Sequence, residues 1–322
     1  MIAAFALAAL GAASLTTTTG EANACAGLIG SNGAVNLGRT TTLAAYHNGT
    51  EHYVTSFEFQ GGGGEFGTLI PLPGVPTKVE KGGSWTLQRL QRETQLVFAE
   101  NASRDALSLA GTPVEVILEA KIDALDITVL KGGGPAVAEW ATKHGFRLSP
   151  DAPEVLDFYA ERSPIFLAAV FDGNAALERG QGIGDGTPVH ITIPTDNPWV
   201  PLRILGLGKQ ANDLVQADVF LLTDEEPSLL PGLRRGLALT HSERATDLLL
   251  DDLRSDENSS WVPESAWLTK LSINSRAGDL KYDLAVDATG KGTPSRVAAG
   301  LQRPNPESVP TLPLAVEAED NG

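Results

Sequence analysis

The stretch that most constrains the fold is Ser56–Pro76, with the sequence SFEFQGGGGEFGTLIPLPGVP. It begins like a strand, breaks at the glycines of 61–64, resumes as a strand at Phe66 and ends in a corner rich in proline. Glycine tolerates sharp backbone bends, and proline cannot donate a hydrogen bond to a strand ladder. A phosphate-binding loop would need a helix directly after the glycines, and an extended segment follows instead. The stretch therefore predicts a bend between two segments of sheet and not a nucleotide site.

Composition favours a strand-rich globular protein. Hydrophobic residues make up 42% of the 322 residues, which is enough to bury a sizeable core. The 34 glycines and 20 prolines favour many turns and short strands over a helical bundle. The formal net charge of −16 makes the chain a poor partner for nucleic acid or an anionic membrane, because both attract Lys and Arg. Such acidity is typical of a soluble protein outside the cell.

The N-terminus resembles a secretory signal peptide over residues 1–24. Residues 2–15 are apolar and uncharged, and Ala22 and Ala24 occupy the small-residue positions of a cleavage site. We therefore expect a secreted or cell-envelope protein. The apolar run is too short to span a bilayer, and no later segment reaches that length, so no transmembrane helix is predicted.

Cys25, the only cysteine, would become the first mature residue. It would then be either a lipid anchor or a free thiol. A lipidated cysteine usually has Leu three residues before it, and Ala22 stands there, which favours the unmodified thiol. With one cysteine, neither an internal disulfide nor a cysteine metal cluster can form.

Hydrophobic periodicity predicts an α+β fold with mixed and antiparallel sheets and about four packed helices. Asn48-Gly49 predicts a tight hairpin turn, and the apolar run of 164–171 predicts a central strand buried on both faces. The alternating apolar residues fall on even positions up to Ile122 and on odd positions from Leu125. This one-residue shift near Ala124 predicts a turn or bulge between two strands. Further predicted elements are helices at 84–100, 135–145, 151–162 and 240–253, and a second hairpin at 267–286.

The domain prediction is one large domain over 25–288, followed by a disordered acidic tail over 289–322 that is rich in proline and glycine. The two halves show a similar order of strands, proline-rich corner and helix. Two similar lobes, 25–134 and 164–288, joined by the helices of 135–163, are therefore considered, and a duplication is left open.

Few residues suggest a catalytic, metal-binding or ligand-binding role. His47 and His52 flank the predicted turn and form either a metal-binding pair or two exposed cross-strand polar residues. No third ligand stands at a diagnostic spacing, which favours the second interpretation, and we predict no bound metal and no cofactor. Trp199 and Trp261 are the aromatic residues that could lie on a binding surface.

Two segments carry a resemblance to a known family. ACAGLIG at 24–30 and the Gly-rich, Pro-rich stretch of Ser56–Pro76 resemble the secreted bacterial family catalogued as domain of unknown function 2330, and the similarity extends from Cys25 to about Val286. The segments over 125–146 and 156–171 look like its actinobacterial branch. Some members carry a second cysteine where this chain has Gly30. The resemblance implies export and a shared fold, and it supplies no catalytic residue.

These observations predict an exported protein that acts as a non-enzymatic binding or interaction module. Its partner would be another cell-envelope protein or an extracellular ligand. The alternative is a secreted hydrolase whose acid and base groups are carboxylates that only the fold brings together. The 40 Asp and Glu residues make such pairs impossible to select from the sequence.

Overall fold

The computed structural model describes residues 22–23, 27–30, 33–34, 39–57, 66–94, 116–171 and 186–305. The apolar run of 2–15, Cys25, the glycines of 61–64 and residues 306–322 lie outside the described residues.

Strands dominate the described residues. In chain order they are β1 (Ala22–Asn23), β2 (Gly27–Gly30), β3 (Gly33–Ala34), β4 (Arg39–His47), β5 (Thr50–Phe57), β6 (Phe66–Leu72), β7 (Lys78–Lys81), β8 (Val116–Ile122), β9 (Leu125–Lys131), β10 (Ile165–Phe171), β11 (Thr187–Pro194), β12 (Trp199–Val200), β13 (Leu214–Thr223), β14 (Ser228–Leu230), β15 (Leu237–Arg244), β16 (Trp267–Arg276) and β17 (Leu284–Asp287). The helices are α1 (Thr86–Glu93), α2 (Gly133–Lys143), α3 (Ala152–Ala160) and α4 (Asp247–Ser255).

The strands form three sheets. The larger sheet has the order β15-β16-β13-β4-β5-β11-β7, with β1 alongside β4, and the second sheet has the order β3-β2-β6-β10-β9-β8. A small third sheet has the order β12-β17-β14. β4 runs parallel to β13 and to β1, and the other described pairs are antiparallel. The predicted α+β fold with mixed and antiparallel sheets and about four helices is confirmed.

The described elements form four layers, in the order helices α2 and α3, second sheet, larger sheet, and helices α1 and α4, with three hydrophobic clusters between them. One hydrophobic cluster lies between the larger and second sheets, where Ile191 and Val219 meet Ile70 and Leu167. A second cluster packs α2 and α3 on the far side of the second sheet. A third packs α1 and α4 on the far side of the larger sheet. The central strands of both sheets are therefore covered on both faces, as β6 and β10 show, whereas β15 at the end of the larger sheet is largely exposed.

Several local predictions are confirmed. β10 is buried at every position and lies between β6 and β9. β6 begins at Phe66 and is also buried throughout. The parity change near Ala124 is a tight turn between β8 and β9, with Asp123 at φ 52°.

Two predictions in the C-terminal half are wrong. The helix predicted from Thr240 begins at Asp247, because the preceding residues form β15, which pairs with β16 on both sides of a bulge at Thr240. The side chain that accepts from the helix N-terminus is Thr246, at 3.2 Å from the backbone nitrogen of Leu249. The second predicted hairpin also fails, because β16 joins the larger sheet whereas β17 joins the small one.

The strand pairing does not separate two lobes. β5 pairs with β11 and β6 pairs with β10, so each of the two larger sheets combines strands from 25–134 with strands from 164–288. Part of the segment predicted as a disordered tail, residues 289–305, is described and packs against the rest of the chain. Ala298 and Ala299 are buried, and the backbone nitrogen of Asp283 donates to the carbonyl of Ala299 at 3.1 Å.

Among the described residues, no helix combines the length and the apolar character that crossing a membrane requires.

Candidate functional site

The β4–β5 hairpin positions the two histidines that the sequence singled out. Asn48 and Gly49 both have positive φ, at 49° and 73°, which is the geometry of a type I′ turn. His47 lies opposite Thr50, and His52 lies opposite Ala45. Because side chains alternate along a strand, His47 and His52 project from the same face of the larger sheet, the face that carries α1 and α4.

His52 belongs to a hydrogen-bonded chain across three strands. Its Nδ1 lies 2.9 Å from Nε2 of His190 on β11. His190 Nδ1 lies 3.2 Å from a carboxylate oxygen of Glu80 on β7. The chain therefore runs from an acidic group on the edge strand, through a buried imidazole, to a partly exposed one.

The hydrogen bonds fix the tautomers of both imidazoles. An ionised carboxylate only accepts, so Nδ1 of His190 donates to Glu80 and its Nε2 accepts. Nδ1 of His52 must then donate to His190, which leaves the lone pair of His52 on Nε2. Burial, reinforced for His52 by the charges of His190 and His47, lowers the pKa of His52 to about 4. Burial likewise lowers the pKa of His190 to about 4, against the opposing effect of Glu80. Both rings are therefore neutral at pH 7.

Trp261 covers the hydrogen-bonded imidazoles of His52 and His190. Its indole stacks on His52 with 4.5 Å between ring centroids and 5° between planes, and on His190 with 5.0 Å and 27°. The loop that carries Trp261 is fixed by Asp256, whose carboxylate accepts from the backbone nitrogens of Ser84 and Trp85 at 3.0 Å. Trp261, which the sequence suggested for a binding surface, is thus half-buried against the imidazoles. Its Nε1 is buried and has no hydrogen-bond partner among the described residues.

His47 has partners of its own. Its Nδ1 contacts a carboxylate oxygen of Asp224, and its Nε2 lies 2.7 Å from the side-chain nitrogen of Asn48. Because the carboxylate accepts, Nδ1 carries the proton, and Nε2 accepts from the amide of Asn48. Within the part of the chain that the structure describes, no group of three or more His, Cys, Asp or Glu could hold a metal ion.

Trp199, the other aromatic proposed for a binding surface, lies in the core. It is only 2% exposed, so the expectation of an exposed ring is wrong. Its indole packs on the guanidinium of Arg162 at 3.8 Å, and that guanidinium donates to the buried carboxylate of Asp283 at 2.6 Å. The carboxylate also accepts from Tyr159 and from the backbone nitrogen of Leu202. These contacts connect three parts of the fold: α3, the segment that follows β12, and the start of β17.

Glu51 is the second unusual group near the hairpin. It faces the opposite side of the sheet from His52 and is 1% exposed. Neither carboxyl oxygen makes a hydrogen bond of normal geometry, although the backbone nitrogen of Trp199 lies near the group. Burial raises the pKa of Glu51 to about 8, so its carboxyl is mostly protonated at pH 7. Sequence reasoning missed Glu51, Glu80 and His190, which follow ordinary strand patterns.

Comparisons with solved structures found distant likenesses. A mutated baculovirus P35 after caspase cleavage covers 79% of this chain and 98% of its own at 8% identity, with a TM-score of 0.42. Intact baculovirus P35 covers 77% and 96% at 9% identity, with a TM-score of 0.41. The caspase-8/P35 complex covers 78% and 96% at 9% identity, with a TM-score of 0.39. Likenesses at this level carry no argument about fold or activity.

A search of curated proteins found no match. A family model described as an uncharacterized protein conserved in bacteria matches residues 19–224, which is more than half of the chain. This match covers the β4–β5 hairpin, β7 and β11, and therefore His47, His52, Glu80 and His190. The chain belongs to this bacterial family of uncharacterized proteins, DUF2330.

Proposed function

We propose that the protein is an exported, non-enzymatic binding module that takes up an extended polypeptide segment along β15. The apolar run of 2–15 and the small residues at Ala22 and Ala24 support export. The observation that carries the binding proposal is the open edge of β15. Within the described residues, β15 lies at the end of the larger sheet and has β16 as its one strand partner.

The direction of the backbone groups along β15 follows from two contacts. The nitrogen of Asn274 on β16 donates to the carbonyl of Gly236 at 2.9 Å. On the outer side, the nitrogen of Leu237 donates to the carbonyl of Arg234 at 2.9 Å. Because successive residues of an antiparallel strand point alternately toward and away from the partner, Leu239, the last residue before the bulge at Thr240, presents its N–H to the open edge. An added strand would hydrogen-bond this group.

Apolar and charged side chains flank this edge. Leu239 is 40% exposed and Leu233 is 56% exposed, and both can cover an apolar side chain of the partner. Glu243 near the end of β15 is 72% exposed, whereas Glu225 pairs with Arg244 at 2.9 Å. The whole chain carries a net charge of −16. The occupant is therefore an extended segment with apolar residues and basic flanks, because opposite charge steers encounter and fixes register.

The carboxylate hydrolase has less support. Three of the four buried carboxylates among the described residues hold structural partners. Asp218 accepts from Ser272 at 2.7 Å, Asp256 accepts from the backbone at the start of α1, and Asp283 pairs with Arg162. The fourth, Glu51, is mostly protonated at pH 7 and fully enclosed. An acid-base pair needs two carboxyl groups that reach one substrate.

The test is a selection of short random peptides on the purified protein. The affinity of a selected peptide, labelled with a fluorophore, is then measured by fluorescence anisotropy. Leu239→Pro removes the outward N–H without removing a bond to β16, so it should weaken peptide binding by at least about tenfold. Leu214→Thr changes an exposed leucine of β13, which has strand partners on both sides, and should bind normally.

Hydrogen exchange on the wild-type protein supplies a readout that does not depend on folding of the proline variant. The amide of Leu239 should exchange more slowly when the peptide is bound. Equal peptide affinity for wild type and Leu239→Pro, or unchanged exchange at Leu239, would refute binding at this edge.

A further inference from the structure

We propose that His47 and His52 form an open site for one borderline divalent transition metal ion, Zn²⁺ or Cu²⁺, at the end of the β4–β5 hairpin. The two residues are diagonal neighbours across the antiparallel pair, on the same face. Diagonal side chains are about 7–8 Å apart at the backbone, and long side chains reach across that distance.

Both imidazoles are held in the tautomer that a metal ligand needs. Nδ1 of His47 donates to Asp224, and Nδ1 of His52 donates to His190, which in turn donates to Glu80. In each case Nε2 carries the lone pair. Ligating histidines in metal sites almost always donate their other ring N–H to a carboxylate or another acceptor, which fixes the ring and raises its basicity. Here each histidine ends a hydrogen-bonded chain that leads to a carboxylate.

The two nitrogens differ in what they contact now. No described residue hydrogen-bonds Nε2 of His52. Nε2 of His47 accepts from the exposed amide of Asn48, which a metal would displace into water. His190 is excluded as a ligand because both of its nitrogens are engaged, so it acts as a positioning residue for His52.

The ligand set decides the class of metal. Imidazole nitrogen suits zinc, copper and nickel, whereas calcium and magnesium require oxygen ligands. Because the described residues supply no cluster of three ligands, water or a group on a partner would complete the coordination. Structural zinc sites are closed by four protein ligands, so this two-histidine site is an open one. It is separate from the β15 edge, and neither proposal depends on the other.

The experiment is a calorimetric titration of the untagged mature chain with zinc chloride and with copper chloride, with Cys25→Ser in every sample to remove the thiol. We expect one ion per chain. His47→Ala and His52→Ala should each weaken binding at least about tenfold, and Glu80→Gln should weaken it by about tenfold through the positioning chain. His241→Ala removes a histidine from β15 and is the matched control.

Electron paramagnetic resonance of the copper-loaded protein separates imidazole from carboxylate ligation. Two nitrogen ligands are expected in the wild type and one in His47→Ala. Because the His47 side chain is 39% exposed, its removal should leave the fold intact even if His52→Ala unfolds the protein. Oxygen-only spectra, no stoichiometric ion, or an equal loss of affinity in His241→Ala would overturn the site.

Discussion

Replacement of Glu51 by glutamine should make the protein more stable at neutral and alkaline pH and leave it almost unchanged near pH 4.5. The carboxyl of Glu51 is fully buried and accepts no hydrogen bond of normal geometry. Ionising it inside the core costs free energy, because a buried charge loses its hydration without gaining a partner. Glutamine keeps the size of the side chain and cannot ionise.

The size of the effect follows from the pKa of Glu51, which rises from 4.5 to about 8 on folding. Each pKa unit corresponds to about 1.4 kcal/mol, so the free energy of unfolding of the wild type should fall by about 5 kcal/mol as pH rises from 4.5 to 8. Between pH 4.5 and 8 the folded state binds more protons than the unfolded state, so the free energy of unfolding falls as pH rises. At pH 7 the loss relative to Glu51→Gln should already be about 3 kcal/mol.

Urea denaturation monitored by tryptophan fluorescence at several pH values between 4.5 and 9 measures this difference. The free energy of unfolding of Glu51→Gln minus that of the wild type should rise by about 1.4 kcal/mol per pH unit and then level off above pH 8. Glu243→Gln, at a carboxyl whose side chain is 72% exposed, is the control and should show no such rise. A flat difference for Glu51→Gln would show that the carboxyl is already ionised at pH 5 or has a partner.

Three further predictions concern single residues. Asp283→Ala leaves the buried guanidinium of Arg162 without its partner and should lower the free energy of unfolding by about 3–5 kcal/mol in urea denaturation, and an unchanged midpoint would refute the structural role of the pair. Thr246→Ala should cost about 1 kcal/mol because the helix loses its N-terminal cap, whereas Thr240→Ala should cost less than about 0.5 kcal/mol; the reverse order would contradict the observed start of α4. Mass spectrometry of the exported protein should show an N-terminus at Cys25 without lipid, and a diacylglyceryl mass would contradict this.

Features that depend on a few consecutive residues could be predicted from the sequence. The Asn48-Gly49 turn, the buried β10 and the turn near Ala124 each follow from local rules on φ, hydrophobic runs and parity. The start of α4 could not, because Thr240 and Glu243 match a capping pattern that β15 overrides by pairing with β16. Long-range pairing supplied more hydrogen bonds than one cap, and the strand extended to Arg244.

The candidate site depends on strand order, which local patterns do not contain. His52 and His190 are 138 residues apart, and Glu80 is 110 residues from His190, so only the adjacency of β5, β11 and β7 brings them together. The histidines at 47 and 52 looked like an isolated exposed pair because the acceptors that orient them are distant in sequence. This is why the sequence favoured no metal, and why the proposed site rests on tautomers that only the strand order reveals.

The burial of Glu51 shows what the sequence could have revealed. Tyr53 and Val54 are adjacent apolar residues on opposite faces of β5, and both are buried. A strand with apolar residues at both parities is covered on both faces, so every polar residue within it must be buried or at the edge of the cover. Glu51 shares the face of Tyr53 and is enclosed between the sheets, whereas His52 shares the face of Val54 and is only partly covered, by Trp261. Adjacent polar residues of one strand thus face two different environments, one that suppresses ionisation of a carboxyl and one that leaves an imidazole nitrogen available to a ligand.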